Sequence, residues 1–496
     1  MSFLLHLLLT AHLLEYRQAP VGAPLHVRLT TTVGSYASKV GSPVRAVLIA
    51  PVLVDGQTLV PAGAIVSGRV KSVKRVGWGI VHETAAIGLD FTSLTLPSGD
   101  VVPLSSRVAQ VDNGRERVTR NGVIVGARST GSLCYRTSGY IRTALQWEIH
   151  AALAAWIIKT MIVQLPEAEI YYPAGVELTL KLTQPLALDA DAVESDQRPV
   201  RLSLVERVNI DPLLEELPYR TYAAPNRPSD IVNVLFLGTR EELSTAFEAA
   251  GWLQAHTSTV RSGIHQIRAV AEGRGYRQAP MSSLFVNNVQ PDVSWEKGFN
   301  DASKRDHIRI WRQPELWHGR ELWLGAATRD VDFAFFRPGQ RLTHRVERNV
   351  DHERDKIVDD LVFTNCVDAV DRLERAAVPR LIQNATGDFM ATDARVAVLR
   401  LNNCRAPRLA SETEDQEPLP VHGGKLQRFV RREILSMRSD VLRTNVYYRA
   451  YEGTRWVIEA AIRRHRRQHA EPELPPDPSV LLERAQNTTA QPAGSP

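Results

Sequence analysis

Alternation of apolar and polar residues marks the first third of the chain. Residues 25–29 and 174–182 follow a period of two, and residues 44–50 form an almost continuous apolar run. Because successive side chains of a strand point to opposite faces, these patterns predict half-buried and fully buried strands. Short strands punctuated by Gly and Pro turns predict a β-rich barrel or sandwich over residues 23–188. Further strands are expected over residues 64–73, 86–96 and 101–104.

The pattern changes to a helical one over residues 139–165. The apolar residues 151–158 are interrupted by Lys159, and Pro166 ends the segment. The run is too short to span a bilayer, so we interpret it as a packed helix. Residues 189–229 are then predicted to be a linker, because residues 190–196 are acidic and residues 223–229 are rich in Pro. The sequence between these two stretches is amphipathic but does not indicate a helix or a strand.

Mixed helical and strand patterns predict an α+β domain from residue 230 onward. Residues 231–237 read as one buried strand, and Thr239 with Glu242 predicts a capping box at the start of a helix that Gly251 ends. A helix is also predicted over residues 350–363. Strands are predicted over residues 307–311, 322–327, 341–346 and 395–401.

The C-terminal sequence is predicted as a basic helical segment, residues 425–470, and a disordered tail, residues 471–496. Residues 425–467 carry one Lys and eleven Arg against four acids, so they contribute 12 − 4 = +8 to a chain of net charge +5. This segment is either a solvated helical face or a surface for an anionic lipid or other anionic partner. Nucleic acid is the least favoured partner, since only this segment suggests it.

The N-terminus and the cysteines bear on the cellular compartment. Residues 2–14 have the length of a secretory apolar segment but lack a preceding basic region, so residues 1–22 read as a signal segment or as a short core segment. Cys134, Cys366 and Cys404 allow at most one internal disulfide, between any two of them, and form neither a disulfide framework nor a zinc motif.

Composition narrows the class of protein. Of 496 residues, 44% are apolar and 23% are charged. These fractions are typical of a globular chain of several domains. No apolar run reaches about 18 residues, so the sequence predicts no transmembrane helix bundle.

Two stretches resemble known families. The region 230–405 is similar to the LssY C-terminal domain family, which implies no established reaction. The resemblance rests on seven short stretches of sequence, residues 233–241, 249–252, 305–311, 323–330, 343–344, 351–355 and 384–388. Residues 25–185 more loosely resemble envelope β-domains of the TrbI type, through residues 61–70 and 166–178. The second resemblance implies an exported, periplasmic or envelope-associated protein.

Candidate chemistry lies in the LssY-like region. If Ile308 and Ile310 face the core, then His307, Arg309 and Trp311 share the opposite strand face. A guanidinium beside an imidazole, with Trp311 as an aromatic wall, would suit a phosphate or carboxylate. The alternative is an exposed strand face of ordinary polar residues.

A second histidine and a helix start add further candidates. His344 lies between Leu342 and Val346, where it is either a core histidine or a general base or metal ligand. Asp351 and Glu353 open a helix, where acids favour the macrodipole without any further role.

Arg354 lies on the apolar stripe of the same helix, beside Ile357 and Val358. A buried arginine needs a carboxylate or a ligand to offset its desolvation. Asp330 and Asp306 are the candidate partners, and a ligand bound at Arg354 is the alternative.

Two functions follow from these residues. The first is an exported envelope protein whose LssY-like domain binds an anionic ligand or partner through Arg309 and Arg354. The alternative is an exported hydrolase of phosphate esters or lipid headgroups. Its acid, base and metal-ligand types would come from His307, His344, Asp330, Asp351 and Glu353. No known catalytic motif joins these residues, and no cofactor or metal is indicated by their spacing.

Overall fold

A computed structural model describes residues 16–77, 84–128, 168–189, 199–224, 226–255, 283–300, 304–334, 343–405 and 446–469, with a few isolated positions between them. The predicted helix at 139–165, residues 1–15, Cys134 and the tail at 471–496 lie outside these ranges or almost entirely so. Within them the chain forms a barrel-like β region and an α+β region, as the sequence predicts.

The N-terminal region contains fifteen strands among the described residues. They are β1 Tyr16–Ala19, β2 Pro24–Leu29, β3 Val33–Gly34, β4 Pro43–Leu48, β5 Val52–Val54, β6 Gln57–Val60, β7 Ile65–Lys74, β8 Ala86–Thr95, β9 Val101–Pro103, β10 Ser106–Val111, β11 Arg117–Val118, β12 Val123–Val125, β13 Tyr171–Tyr172, β14 Glu177–Leu182 and β15 Leu186–Asp189.

Nine of these strands form one sheet that nearly closes into a barrel. The order is β10-β14-β2-β4-β7-β8-β12-β11, with β9 paired to β8, and β10 also contacts β11 at the far end. The inward residues of the alternating strands, such as Val27, Ala46, Val66 and Leu178, form a single core. Successive side chains along these strands therefore point alternately to the inside and to the outside of the barrel-like sheet.

Strand β1 lies within the range 1–22 that the sequence assigns to a signal segment. It pairs antiparallel with β15, and Ala19 is fully buried in the barrel core. Removal of residues 1–22 would therefore also remove one strand of a two-stranded sheet.

The α+β region begins with one helix and a two-stranded sheet, and a larger sheet follows. Its elements are α1 Leu204–Glu216, β16 Arg220–Ala223, β17 Arg227–Ile231, β18 Val234–Leu237, α2 Arg240–Ala249, β19 Leu253–Gln254, β20 Val293–Lys297, β21 Arg305–Trp317, β22 Arg320–Ala334, β23 Thr343–Val346, α3 Asp351–Phe363, β24 Val367–Glu374, β25 Leu381–Gln383, β26 Phe389–Ala391 and β27 Arg395–Leu401. A last helix, α4, spans Val446–His469.

Eight strands form the central sheet of this region. Their order is β19-β20-β21-β22-β18-β27-β24, with β23 on β22, and among the described strands of this sheet only the β18–β27 pair is parallel. Helices α2 and α3 cover one face, where Phe247 and Leu361 share a core. Helix α1 covers the other face through Ile210 and Leu214. Strand residues therefore have a buried environment on both sides.

Two local predictions need correction. The range 189–229 is not only a linker, because α1, β16 and most of β17 lie in it and pack on the sheet. The single strand expected at 231–237 is two strands. Asn233 separates them, since its side chain donates to the carbonyls of Ala327 and Val350 and accepts from the Ala327 amide.

Other local predictions are confirmed. Thr239 and Glu242 form the expected capping box at the start of α2. Gly251 follows α2 with φ +79°, a left-handed conformation that ends a helix at little cost for glycine. Strand β27 has the predicted bounds, and α3 begins one residue later than expected.

Candidate functional site: buried charged clusters of the α+β region

Strand β21 places several of the predicted site residues on one face. His307, Arg309 and Trp311 do share a face, and Ile308 and Ile310 point into the opposite core. Both faces are buried, because helices and hairpins cover the sheet on each side. The alternative of an exposed polar strand face is therefore wrong.

The β21 cluster consists of charged and imidazole side chains gathered around this face. Strand register explains part of it, because Asp330 on β22 lies opposite Arg305 and Thr328 lies opposite His307. Its members are Asp230, Glu296, Arg305, His307, Arg309, Asp330 and His344.

Asp330 lies at the centre of the cluster. Its carboxylate oxygens are 3.5 Å from His307 Nε2, 3.5 Å from His344 Nδ1 and 3.4 Å from Arg305 Nη2. Burial opposes ionisation of Asp330, but the two histidines and the arginines hold its pKa below the usual value. Asp330 is therefore the anion that balances these basic groups.

His307 is held firmly within the sheet. Its Nδ1 lies against the Thr328 carbonyl oxygen and is 3.1 Å from Thr328 Oγ1. Burial lowers the pKa of His307, although Asp330 pulls in the opposite direction. The carbonyl can only accept, so Nδ1 carries a proton and the ring is anchored on one side by the neighbouring strand.

Arg309 and Trp311 also have internal partners. Arg309 Nη1 is 3.5 Å from Asp230 Oδ2 on β17, and Trp311 Nε1 donates to the Val289 carbonyl at 3.0 Å. Trp311 packs in the core beneath α1. The predicted anion receptor of Arg309 is thus occupied by a carboxylate of the chain itself.

His344 is the accessible edge of the β21 cluster. Its side chain is 18% exposed, whereas those of Asp330, His307 and Arg305 are at most 7% exposed. His344 Nε2 lies 3.5 Å from Arg305 Nη2. An imidazole and a guanidinium therefore adjoin where the cluster reaches the surface.

Arg354 and Asp351 form a separate site. Arg354 contacts Asp351, Asp355 and Asp393, at 3.2, 3.0 and 2.7 Å, and also the Arg395 carbonyl. The prediction that Asp330 or Asp306 pairs with Arg354 is wrong. The helical neighbours and the turn before β27 are closer because α3 packs alongside β27. A structural ion pair, the first of our two interpretations, accounts for Arg354.

Glu353 lies apart from both groups, against the barrel. Burial and the Asp306 carboxylate raise the pKa of Glu353 well above its usual value. Asp306 itself accepts from Asn113 of the barrel at 2.6 Å and pairs with Arg329 at 3.3 Å. Glu353 is accordingly a buried carboxyl at the contact between the two regions, where its charged form is disfavoured.

The sequence gives no indication of another buried ionic group, which we term the interface cluster. It joins Arg28 and Glu177 of the barrel to Lys297, Lys356 and Asp360 of the α+β region. Glu177 lies 2.8 Å from Arg28 and 2.7 Å from each lysine. Asp360 lies 3.2, 2.9 and 3.1 Å from the same three cations.

Each carboxylate of the interface cluster therefore contacts three cations. Burial alone would raise the pKa of Glu177 and of Asp360, but these cations hold both pKa values below the usual range. The participants are up to 332 residues apart in sequence, so no local pattern could have identified them. Arg305 was also missed, although its position two residues before His307 on one strand face could have indicated it.

Other features define what the described residues can do. Cys366 and Cys404 form a disulfide between the start of β24 and the segment after β27. In the described ranges no group of three His, Cys, Asp or Glu is arranged to hold a metal ion. None of the helices there is long and apolar enough to cross a membrane. A cavity of about 250 Å³ lies on the barrel, beside Ser105 and Gln184, away from the β21 cluster.

Comparison with known proteins gives one match that supports a conclusion. Curated proteins gave no match. Among solved structures the chain is similar to ComB10 of the Com type IV secretion system of Helicobacter pylori. The identity is 10% over 34% of this chain and 89% of that chain, and the TM-score of 0.20 supports no conclusion. A family model described as LssY C-terminus matches residues 214–396, which start within α1 and end within β27. The α+β region thus carries the LssY C-terminal match that its sequence blocks indicate.

Proposed function

We propose that the chain is an exported, envelope-associated protein whose LssY-like region binds an anionic ligand or partner. The observation that most supports this proposal is at the edge of the β21 cluster. There the side chain of His344, which is 18% exposed, adjoins Arg305. A carboxylate or phosphate oxygen at this edge would accept from Arg305 Nη2 and from His344 Nε2 once that nitrogen is protonated. Arg309 pairs with Asp230 inside the β21 cluster and Arg354 pairs with Asp393 at its separate site, so neither lies at this edge to bind the ligand.

Export is supported by the disulfide between Cys366 and Cys404. Disulfides persist in oxidising compartments and are rare where glutathione and thioredoxin keep thiols reduced. The loose resemblance of residues 25–185 to TrbI-type envelope domains points in the same direction. The barrel would then dock on another envelope component, while the LssY-like region holds the ligand.

A binding role fits the construction of the β21 cluster better than turnover does. Its histidines and arginines are tied to Asp230, Glu296 and Asp330, so their charges are already balanced in the folded chain. Such a framework positions one accessible group, His344, without moving.

The test is calorimetric titration of the full chain with inorganic phosphate, pyrophosphate and citrate. His344→Gln should weaken binding by about tenfold, because it removes one donor of a charge-assisted contact. His352→Gln is the matched control, since His352 is an exposed histidine of α3 that pairs with Glu347, just before that helix. Equal affinity in the parent and His344→Gln, or no binding by the folded parent, would overturn the proposal.

A second candidate, hydrolysis of a phosphate ester, is favoured by one observation. Asp330 Oδ2 lies 3.5 Å from His344 Nδ1, as in a carboxylate that orients a general base. Asp330→Asn and His344→Gln would be assayed with phosphomonoesters, phosphodiesters and phospholipids, with and without divalent metals. Turnover that falls in both variants while anion binding persists in Asp330→Asn would establish the enzyme. Retained turnover in both would exclude this dyad.

A further inference from the structure

Helix α4 exposes an unusual number of apolar side chains. Val446, Val457, Ile458 and Ile462 are 75%, 58%, 53% and 46% exposed. Single exposed apolar residues are normal on a protein surface, but a group of them on one helix marks an interaction site.

Four exposed residues lie along one side of the helix, whereas Val446 and Val457 lie on another face. Ile458 and Ile462 are four residues apart, and the exposed Tyr447 and Tyr451 precede them at the same spacing. Residues three, four or seven apart lie on one face, so positions 447, 451, 458 and 462 form an apolar stripe. At 1.5 Å per residue this stripe is about 22 Å long.

The same helix is strongly basic. Its six arginines and two glutamates give 6 − 2 = +4, and four of the arginines lie among the five residues 463–467. A helix that combines an apolar stripe with clustered arginines matches a surface that is apolar inside and anionic outside. A bilayer with acidic headgroups is such a surface.

We propose that α4 binds the surface of an anionic lipid bilayer and lies parallel to it. The stripe at 447, 451, 458 and 462 enters the headgroup and acyl boundary, and the arginines neutralise phosphate groups. A nucleic acid would use the arginines but would leave Ile458 and Ile462 without a role. This surface is distinct from the β21 cluster, so the inference holds or fails separately from the anion site.

The experiment is flotation of the full chain with vesicles of phosphatidylcholine alone and of phosphatidylcholine mixed with phosphatidylglycerol. Ile458→Ser combined with Ile462→Ser should reduce binding to the mixed vesicles by about tenfold, because it removes buried apolar area. Val289→Ser and Leu381→Ser form the matched control, since both residues are exposed and apolar but lie outside α4. A second variant replaces Arg463, Arg464, Arg466 and Arg467 with Gln.

The expected result is binding to mixed vesicles only, lost in both α4 variants and retained in the control. A folded parent that binds neither vesicle would overturn the proposal. So would mixed-vesicle binding that the double serine variant retains, or that the control loses equally. Binding of a duplex oligonucleotide that is unaffected by the serine changes, without vesicle binding, would assign α4 to nucleic acid.

Discussion

Arg28 of β2 donates a hydrogen bond to Asp360 of α3, across 332 residues of sequence, with Nη2 and Oδ1 separated by 3.2 Å. Both side chains are almost fully buried. The contact ties the barrel to the α+β region through charges that water does not reach. Breaking one member of such a pair leaves an uncompensated buried charge, which costs more than the pair itself contributes.

Arg28→Met is therefore expected to destabilise the chain by about 3–5 kcal/mol, because Glu177 and Asp360 lose a cation in a buried site. Asp360→Asn should cost less in the Arg28→Met background than in the parent, as coupled partners do. Urea unfolding of the two single variants and the double variant measures this. Arg312→Ala, at the exposed pair with Glu321, is the control and should cost less than about 1 kcal/mol. Additive effects of Arg28 and Asp360 would contradict a direct coupling.

The loss of folding stability at acid pH should depend on His307. Burial lowers its pKa in the folded chain, so stability is full above the unfolded value near 6.5 and is lost as pH falls toward the folded value. The loss should begin below about pH 6.5 and increase as the pH falls further. Thermal unfolding between pH 7.5 and 5 would show a shallower decline for His307→Gln than for the parent. His352→Gln should leave the parental decline unchanged, and an identical slope in His307→Gln would refute the assignment.

Asp359 should act in the opposite direction. Burial, with repulsion from Asp355, raises the pKa of Asp359 to about 7. A raised carboxyl pKa gives stability that is full below the unfolded value of about 3.9 and is lost as pH rises from there through 7. Asp359→Asn, which imitates the protonated acid, should gain on the parent by about 2 kcal/mol between pH 5 and pH 7, and should gain little more above pH 7.

Chemical unfolding at pH 5, 6, 7 and 8 measures this difference. Glu248→Gln serves as the control, because Glu248 is an exposed carboxylate on α2. A gain for Asp359→Asn that is the same at every pH would show that the effect does not come from titration.

The disulfide gives a chemical prediction. Of the three cysteines, only Cys134 should react with a thiol reagent in the unfolded, unreduced chain, and all three after reduction. Replacing Cys366 and Cys404 with Ser should destabilise the chain by about 3–4 kcal/mol on the loop-entropy model for a 38-residue separation. Three reactive thiols before reduction would contradict both the bond and the support it gives to export.

The strands were the most predictable part of the fold. The alternation in residues 25–29 and the apolar run at 395–401 reappear as β2 and β27, because the period of side chains along a strand is a local property. The capping box at Thr239 was equally readable, since both partners lie within one turn. The strand break at Asn233 was not, because it depends on carbonyls of Ala327 and Val350 that are distant in sequence.

The candidate site was predictable only in part. Strand alternation placed His307 and Arg309 on one face, and the fold brings Asp330 and His344 to them. Strand alternation could not place Asp351 and Glu353, because both lie on the helix α3. These two residues point to different sides of that helix. Arg354 was recognised as a buried charge, but its partner Asp393 lies in a turn that only the packing of α3 beside β27 brings near.

The sequence by itself determined the strands, the capped helix, the basic C-terminal segment and the resemblance of the α+β region to one family. Each of these depends on neighbouring residues or on a recurring pattern. The tertiary structure alone decided which charges are neutralised. Glu177 meets Lys297 and Lys356, and Arg309 meets Asp230, over separations of 79 to 179 residues. Electrostatic energy depends on distance and burial in space, and chain order specifies neither of these.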